Sequence, residues 1–426
     1  MKEVVNEKLK VCMAMDAYLP YVDGVVNCMD HYLTEMVKKE DAFALAPKHK
    51  NAFDEKLPYE VLRCKSFCFP VIKAMYGFPN LDKKFKKAVK EKDIDIIHLH
   101  SPFNMANYAI KLAKKKNIPI VATFHSNFRP ILRDIIKIPF IAEWCVKYIG
   151  RKYNKMDEVF CVSEGVAKQA RSFGYTGKIT LLPFGTELER VSDIDGLKDN
   201  ANKTFNLAGD EIVFLFVGRI MNLKRIDFII NSLKKVKEKG FNFKFFVVGK
   251  GPEEKNLKEL VKRLNLEDHV IFTGFLDREL FPLIYARADL FLFPSLYDNF
   301  GLVKVESATF DTPGLFIKNS QAGLGVIDNQ NGFLAEDSLE DFSNKIIFAI
   351  SDKENLKRVG KTAGETLYLS WSDCTEKLID RYKEIISRKE KPKKVKFTKE
   401  EKKEIKAYIK EENKKHKLAK KELKKD

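Results

Sequence analysis

A diphosphate leaving group needs cations, backbone N–H donors or a metal ion to take up its developing charge, and charge-assisted bonds to phosphate are short and strong. Arg219 and Lys224 have that chemistry and follow the apolar run Ile212–Val217, which ends at Gly218. Phe300–Phe310 reads as a helix, and its exposed first amides can face a phosphate or sugar. Asp298 stands ahead of that helix and Glu306 within it. A carboxylate accepts from two neighbouring hydroxyls, which is how sugar and ribose rings are gripped. His125 closes another apolar run, Ile118–Phe124, and an imidazole there can hold or move a proton near neutral pH. Taken singly, these residues equally describe loop cations, an N-cap, a solvated helix acid and a structural histidine.

Two other patterns carry less. Gly249-Lys250-Gly251-Pro252 lacks the third glycine of a dinucleotide fingerprint, and Glu253 and Glu254 in the following turn would repel an anion. It reads as a tight turn before a helix. Cys64 and Cys68 have no second ligand pair nearby, so all seven cysteines read as reduced thiols.

The elements that must position these residues alternate from end to end. Short apolar runs (Leu9–Ala14, Ile94–Leu99, Ile118–Phe124, Glu158–Val162 and Ile179–Leu182, then Ile212–Val217, Phe243–Val248, Val270–Thr273 and Leu290–Phe293) are separated by polar segments at helical period, such as Arg225–Lys239 and Glu253–Leu264. Such alternation predicts parallel, doubly wound α/β sheets. Ligands of these sheets bind beyond the carboxyl ends of the strands, where Arg219, Lys224, His125 and Asp298 all fall. Polar residues between Val191 and Asp210 mark a linker. The expected order is a domain over 1–190, a linker over 191–210, a second domain over 211–370, a helix over 371–388 and a basic tail over 389–426.

At 426 residues and 45% hydrophobic, the chain can build two cores. No apolar run is long enough to cross a bilayer, and the first residues lack the apolar stretch of an export signal. A cytoplasmic protein is expected, at most peripheral on the inner face of the plasma membrane. Of the formal charge of +17, residues 388–426 carry +10, so the basicity describes an appendage more than the body. A tail of this kind is a weak argument for nucleic acid.

Together the motifs resemble glycosyltransferase family four, retaining enzymes of GT-B fold: two doubly wound, Rossmann-like domains facing across a cleft. The resemblance spans roughly Leu9 to Ile386 and is most specific at Ser295–Glu306, which is similar to the family's Glu-x7-Glu signature. Val217-Gly218-Arg219 with Lys224, Val248–Pro252, Thr273–Leu276 and Asn331-Gly332-Phe333 support it. The resemblance implies that Arg219 and Lys224 hold the diphosphate of a nucleoside-diphosphate sugar, with UDP-sugar the expected donor. It places Asp298 on the donor sugar, Glu306 on the ribose, and His125 beside the sugar. Amides at Gly24 and near Asn299, Phe300, Gly301 and Leu302 complete the cradle, and Gly274, Phe275 and Leu276 line the base. It implies no metal and no cofactor beyond this co-substrate. The pairs Asp93/Asp95 and Asp193/Asp195 do not follow strands as a metal–diphosphate site would require. Three positions depart from the family pattern: Asp298 for Glu, Asp311 for Gly, and Ser320–Leu324 without its paired glycines.

For the acceptor, Asp16-x-Tyr18-x-Pro20-x-x-x-Gly24-Val25, His98–Phe103 and Thr123–Ser126 resemble the branch that glycosylates diacylglycerol and related lipids. Independently, Ile131–Lys152 combines Phe140, Trp144 and Tyr148 with Arg133, Lys137, Lys147, Arg151 and Lys152, a composition that can lie on an anionic membrane. The alternatives are a polysaccharide or cell-wall-polymer acceptor, and a degenerate partner that binds nucleotide or membrane without turnover.

Overall fold

Apolar strands covered by helices on both faces divide the chain into two units, Met1–Pro183 with Trp371–Asp426, and Phe184–Ser370, in a computed structural model. It describes residues 7–21, 23–69, 74–125, 128–136, 138–296, 298, 300–388 and 396–422.

The first unit contains β1 (Lys10–Ala14), β2 (Asp41–Pro47), β3 (Glu60–Cys64), β4 (Ser66–Phe69), β5 (Ala74–Gly77), β6 (Ile96–Leu99), β7 (Ile120–Thr123), β8 (Glu158–Cys161) and β9 (Ile179–Leu181). Seven of them form one parallel sheet in the order β3-β2-β1-β6-β7-β8-β9, while β4 and β5 pair antiparallel. The strand order reverses between β1 and β6, which run in register from Val11↔Ile96 to Ala14↔Leu99. The loops leaving these two strands meet there, Asp16 after β1 bonding to Ser101 after β6, at the position where sheets of this kind bind ligands.

The second unit contains β10 (Ile212–Val217), β11 (Phe243–Val248), β12 (Val270–Gly274), β13 (Leu290–Phe293), β14 (Gly314–Ile317) and β15 (Phe333–Ala335), all parallel, in the order β12-β11-β10-β13-β14-β15. Its reversal lies between β10 and β13. Phe214, Phe216, Phe245, Phe291 and Phe316 are fully buried, because helices cover both faces of such a sheet.

The sequence pattern does not mark β2–β5, β14 or β15. β2 reads Asp-Ala-Phe-Ala-Leu-Ala-Pro, with no β-branched residue, and alanine is a poor strand former. β15 has only three residues. Pairing with a neighbouring strand, which local propensity does not report, holds these segments extended.

Three segments differ from the composition-based expectation. The polar stretch 191–210 contains the helix Ile194–Thr204, which Asp193 caps through Gly196 N–H and Arg287 anchors by donating from Nε to Asn202 Oδ1 at 2.6 Å. The helix Trp371–Ser387 returns to the first unit rather than trailing the second. Its Arg381 forks onto Glu158 (2.8 Å from each carboxylate oxygen), Arg388 adds a third bond, and Trp371 packs on His31 and Tyr32. Burial by itself raises the fully buried Glu158 carboxyl, but the bonds from Arg381, Thr180 and Arg388 outweigh it and hold the group below its ordinary range. The tail, with few apolar residues, has little reason to pack; yet Lys399–Glu422 is a helix lying against Glu164–Ser172, with the Tyr408 hydroxyl hydrogen-bonded to Gln169 and Asn413 accepting from Arg133.

Candidate functional site

In the second unit the loops leaving β10 and β13 meet at the strand-order reversal. Backbone bonds lace the neighbouring loops together: Gly218 N–H donates to Val248 O, Ile220 N–H to Lys250 O and Gly249 N–H to Gly274 O. A Cβ on Gly249 would sit 2.0 Å from Gly218 O, and one on Gly251 1.9 Å from Ile220 O. The Gly249-Lys250-Gly251 turn therefore serves close backbone approach.

That scaffold presents Lys224 from a short 3-10 turn, Asn222–Lys224. Its ammonium donates to both carboxylate oxygens of Asp298, at 2.6 and 2.8 Å, and lies 5.0 Å from the Phe293 ring centroid. Arg219 is exposed and forms no ion pair with any described residue. Gly301 has φ +69, and a Cβ there would press 3.0 Å from that of Ala322, so the helix Leu302–Thr309 starts where only glycine fits comfortably. Phe300 stands edge-on to Phe184 at 6.4 Å, and Leu302 is exposed at the helix start. Asn299 lies outside the described residues.

Glu306 is on that helix, half-buried, and accepts a 2.6 Å bond from the Tyr285 hydroxyl. Burial raises its carboxyl above the usual range and the Tyr285 bond opposes the rise. Sequence reasoning missed Tyr285, and also Lys304. Lys304 is buried, stands over the Phe300 ring and donates to Leu324 O; burial pulls its ammonium down to about 8. The departure at Asp311 also has a physical account. It adopts φ +56, a conformation Asp tolerates, and its carboxylate accepts from Arg190 at 2.8 Å.

Beyond β10, β11 and β12 lies a cavity of about 380 Å³ lined by Gly218, Arg219, Gly249, Phe275, Leu276 and Phe281. Gly274, at φ +70, ends β12 beside it, and Phe275 is 77% exposed with Lys250 over its ring. A larger cavity, about 680 Å³, opens at the amino ends of β10, β13 and β14 among mixed charges such as Asp193, Arg287 and Lys357. Strand carboxyl ends, where backbone amides and diverging loops are presented, favour the smaller one.

In the first unit the corresponding reversal holds Asp16. Its carboxylate accepts from Ser101 Oγ at 2.6 Å and from the backbone N–H groups of Phe103 and Met105, capping the helix Asn104–Lys116 from a distant loop. Gly24 is exposed and begins the helix Gly24–Met36, whose Val25 and Val26 amides are already bonded to Asp23. His125, after β7, stacks on His100 with ring centroids 5.2 Å apart and a 3.0 Å contact between His125 Nε2 and His100 Nδ1. His98 lies beneath, bonded to Thr123 and Tyr382. Burial depresses all three imidazoles, His125 to about 3, so the stack is neutral. Cys28 approaches the same place from its helix, and Cys28, His100 and His125 are the group of potential metal ligands found among the described residues.

The segment compared above with membrane-surface helices forms two helices, Phe128–Ile135 and Pro139–Tyr153. Ile135, Phe140, Trp144 and Tyr148 are exposed, Phe140 by 75%, and positions 140, 144 and 148 share one helix face. Lys147 and Arg151 are exposed with them. Lys152 is not a surface cation: it is buried and donates to the carbonyls of Pro102 and Phe103. Lys137 lies outside the described residues. No helix among the described residues is long and apolar enough to cross a membrane.

Residues 22–190 match the family Glycosyltransferase Family 4 and residues 198–366 match Glycosyl transferases group 1. The alpha-monoglucosyldiacylglycerol synthase of Streptococcus pneumoniae is 27% identical over 334 residues, covering 76% of this chain and 75% of that protein. The protein of the same name from Acholeplasma laidlawii is 23% identical, covering 88% and 100%. Among solved structures, Anabaena HepE in complex with UDP-glucose shares the fold with TM-score 0.65 at 16% identity, over 88% of this chain and all of that one (100%). A glycosyltransferase from Rickettsia africae gives TM-score 0.67 at 17% identity, over 89% and 99%.

Proposed function

We propose, starting from the fact that this chain belongs to the family-four glycosyltransferases of GT-B fold, that it moves a hexose from a nucleoside-diphosphate sugar to a membrane lipid such as diacylglycerol, with retention of configuration. The observation that carries the lipid acceptor is the exposed row Phe140, Trp144 and Tyr148 flanked by Lys147 and Arg151. Aromatic rings at that spacing suit the headgroup boundary, and cations beside them suit anionic lipid. The names of the two synthases point to the same acceptor.

On the donor side, Arg219 and Lys224 take the diphosphate and neutralise it as the bond to the sugar breaks, a task that needs no metal ion when two cations are in place. Lys224 reaches the phosphate by leaving Asp298, whose released carboxylate turns to sugar hydroxyls. Amides at Gly301 and Leu302 face the phosphate, Glu306 receives the ribose hydroxyls, and the cavity beside Gly274, Phe275 and Leu276 accepts the base, with uracil favoured by the UDP-sugar seen in HepE. His125, neutral, serves the sugar as a hydrogen-bonding group. The leaving phosphate then assists attack from the same face, which keeps the sugar's configuration.

Donor turnover measured across UDP-, GDP- and ADP-sugars, with and without diacylglycerol vesicles, tests this. A glycolipid formed only with vesicles is the expected result. Hydrolysis indifferent to lipid would move the acceptor to a soluble or polymeric one, and no turnover with any donor would leave a binding protein.

A further inference from the structure

Three side chains from three separate elements converge at the carboxyl edge of the first sheet. Cys28 comes from the helix Gly24–Met36, His100 from the loop after β6 and His125 from the loop after β7. Each offers one ligand atom, and the three atoms lie within 4.8 Å of one another. Cys28 and His100 are each 2% exposed. His100 Nδ1 is engaged with His125, but its Nε2 is buried with no hydrogen-bond partner among the described residues. Leaving such an atom unmatched costs about 1–3 kcal/mol, and buried polar atoms are rarely left so. Nothing in the donor chemistry proposed above uses His100 or Cys28.

One thiol and two imidazoles form the ligand set that zinc takes, with Zn–S about 2.3 Å and Zn–N about 2.0–2.1 Å. Tetrahedral bonds of those lengths put ligand atoms roughly 3.3–3.6 Å apart, about an ångström inside the limit observed here. We infer that Cys28, His100 and His125 form a binding site for one Zn²⁺ ion, with a fourth coordination position left to solvent. On binding, the Cys28 thiol gives its proton to solvent and the sulfur becomes a thiolate ligand; no electron changes hands. A zinc-bound His125 is withdrawn from the sugar, so zinc acts as an inhibitor of transfer and takes no part in it. That consequence rests on the glycosyltransferase reading, whereas the site itself does not.

Metal binding is therefore read directly on the full chain, stripped of metal with a chelator. Co²⁺ added as a zinc surrogate is expected to give a thiolate-to-cobalt absorption band, abolished by Zn²⁺, at one ion per chain. Cys28→Ala is expected to lose the band, and His100→Gln to weaken Zn²⁺ binding at least tenfold in competition with a chelating dye. Cys374→Ala, a neighbouring thiol bonded to Pro183 O, is the control that keeps both. Absence of a thiolate band in the unaltered protein, which requires no variant to fold, overturns the site; so does unchanged Zn²⁺ affinity in folded Cys28→Ala and His100→Gln. Should transfer be detected, Cys28→Ala is expected to keep its rate and lose zinc inhibition. Failure of transfer with a positive cobalt band would count against the enzymatic reading alone.

Discussion

Lys224 Nζ sits within 2.8 Å of both carboxylate oxygens of Asp298, across the reversal between β10 and β13. One loop carries the cation and the other the acid, so the pair joins the two backbones that leave the sheet on opposite sides. An acid one methylene shorter than the family's usual glutamate still reaches the cation. On the function proposed above, donor binding divides this pair, and Lys224 serves both as a phosphate ligand and as a lock on Asp298.

Lys224→Ala is expected to lower kcat at saturating donor by about tenfold or more, since each 1.36 kcal/mol of lost transition-state stabilisation is about tenfold. An unchanged kcat, measured on folded protein, would remove Lys224 from the chemical step.

Tyr285 acts through Glu306. Burial raises the Glu306 carboxyl and the 2.6 Å bond from Tyr285 restrains it. In Tyr285→Phe the restraint is gone, the carboxyl titrates at higher pH, and less of it is charged at a given pH. The donor KM should rise severalfold, and the pH below which KM climbs should move upward while kcat changes little. A pH profile of KM identical to that of the unaltered enzyme would make the contact purely structural.

The neutral stack of His98, His100 and His125 makes acid tolerance predictable. Folding depresses these imidazoles, by burial first, so below about pH 6.5 the unfolded chain binds more protons than the folded one. Their contribution to stability is whole above about pH 6.5 and is lost progressively as pH falls toward the folded value. Thermal midpoints measured from neutral to acidic pH should fall through that window, and the fall should flatten in His98→Gln. A midpoint independent of pH there would show that the stack is charged or open.

Glu158 is fully buried and depends on Arg381. Arg381→Ala removes two of its bonds and leaves the buried carboxylate to Arg388 and Thr180, which costs about 3 kcal/mol when a buried pair is broken. Urea unfolding should report that loss in the first unit. Loss below about 1 kcal/mol, the worth of an exposed pair, would mean that Arg388 alone suffices.

Phe140→Ser combined with Trp144→Ser removes two exposed rings. Flotation with anionic vesicles should fall several-fold while the thermal midpoint stays put, since neither side chain fills the core. Equal flotation of both proteins would place the membrane contact elsewhere.

The residues by themselves determined the fold class and the family. Short continuous apolar runs such as Ile212–Val217 and Leu290–Phe293, alternating with segments at helical period, read as strands buried on both faces, and the Ser295–Glu306 signature is written in residue types. Local patterns also placed Arg219, Lys224 and Asp298 after strands. Only the tertiary structure decided what those side chains touch. Lys224 and Asp298 are 74 positions apart, and their pairing follows from strand order, which no local window contains. The same holds for Tyr285 on Glu306, for Lys152 drawn inward onto the Pro102 carbonyl, and for the basic tail lying along Glu164–Ser172. Propensity and periodicity report what one segment prefers; burial, ion pairing and ligand geometry belong to segments that meet, and strand order and tertiary packing choose which ones do.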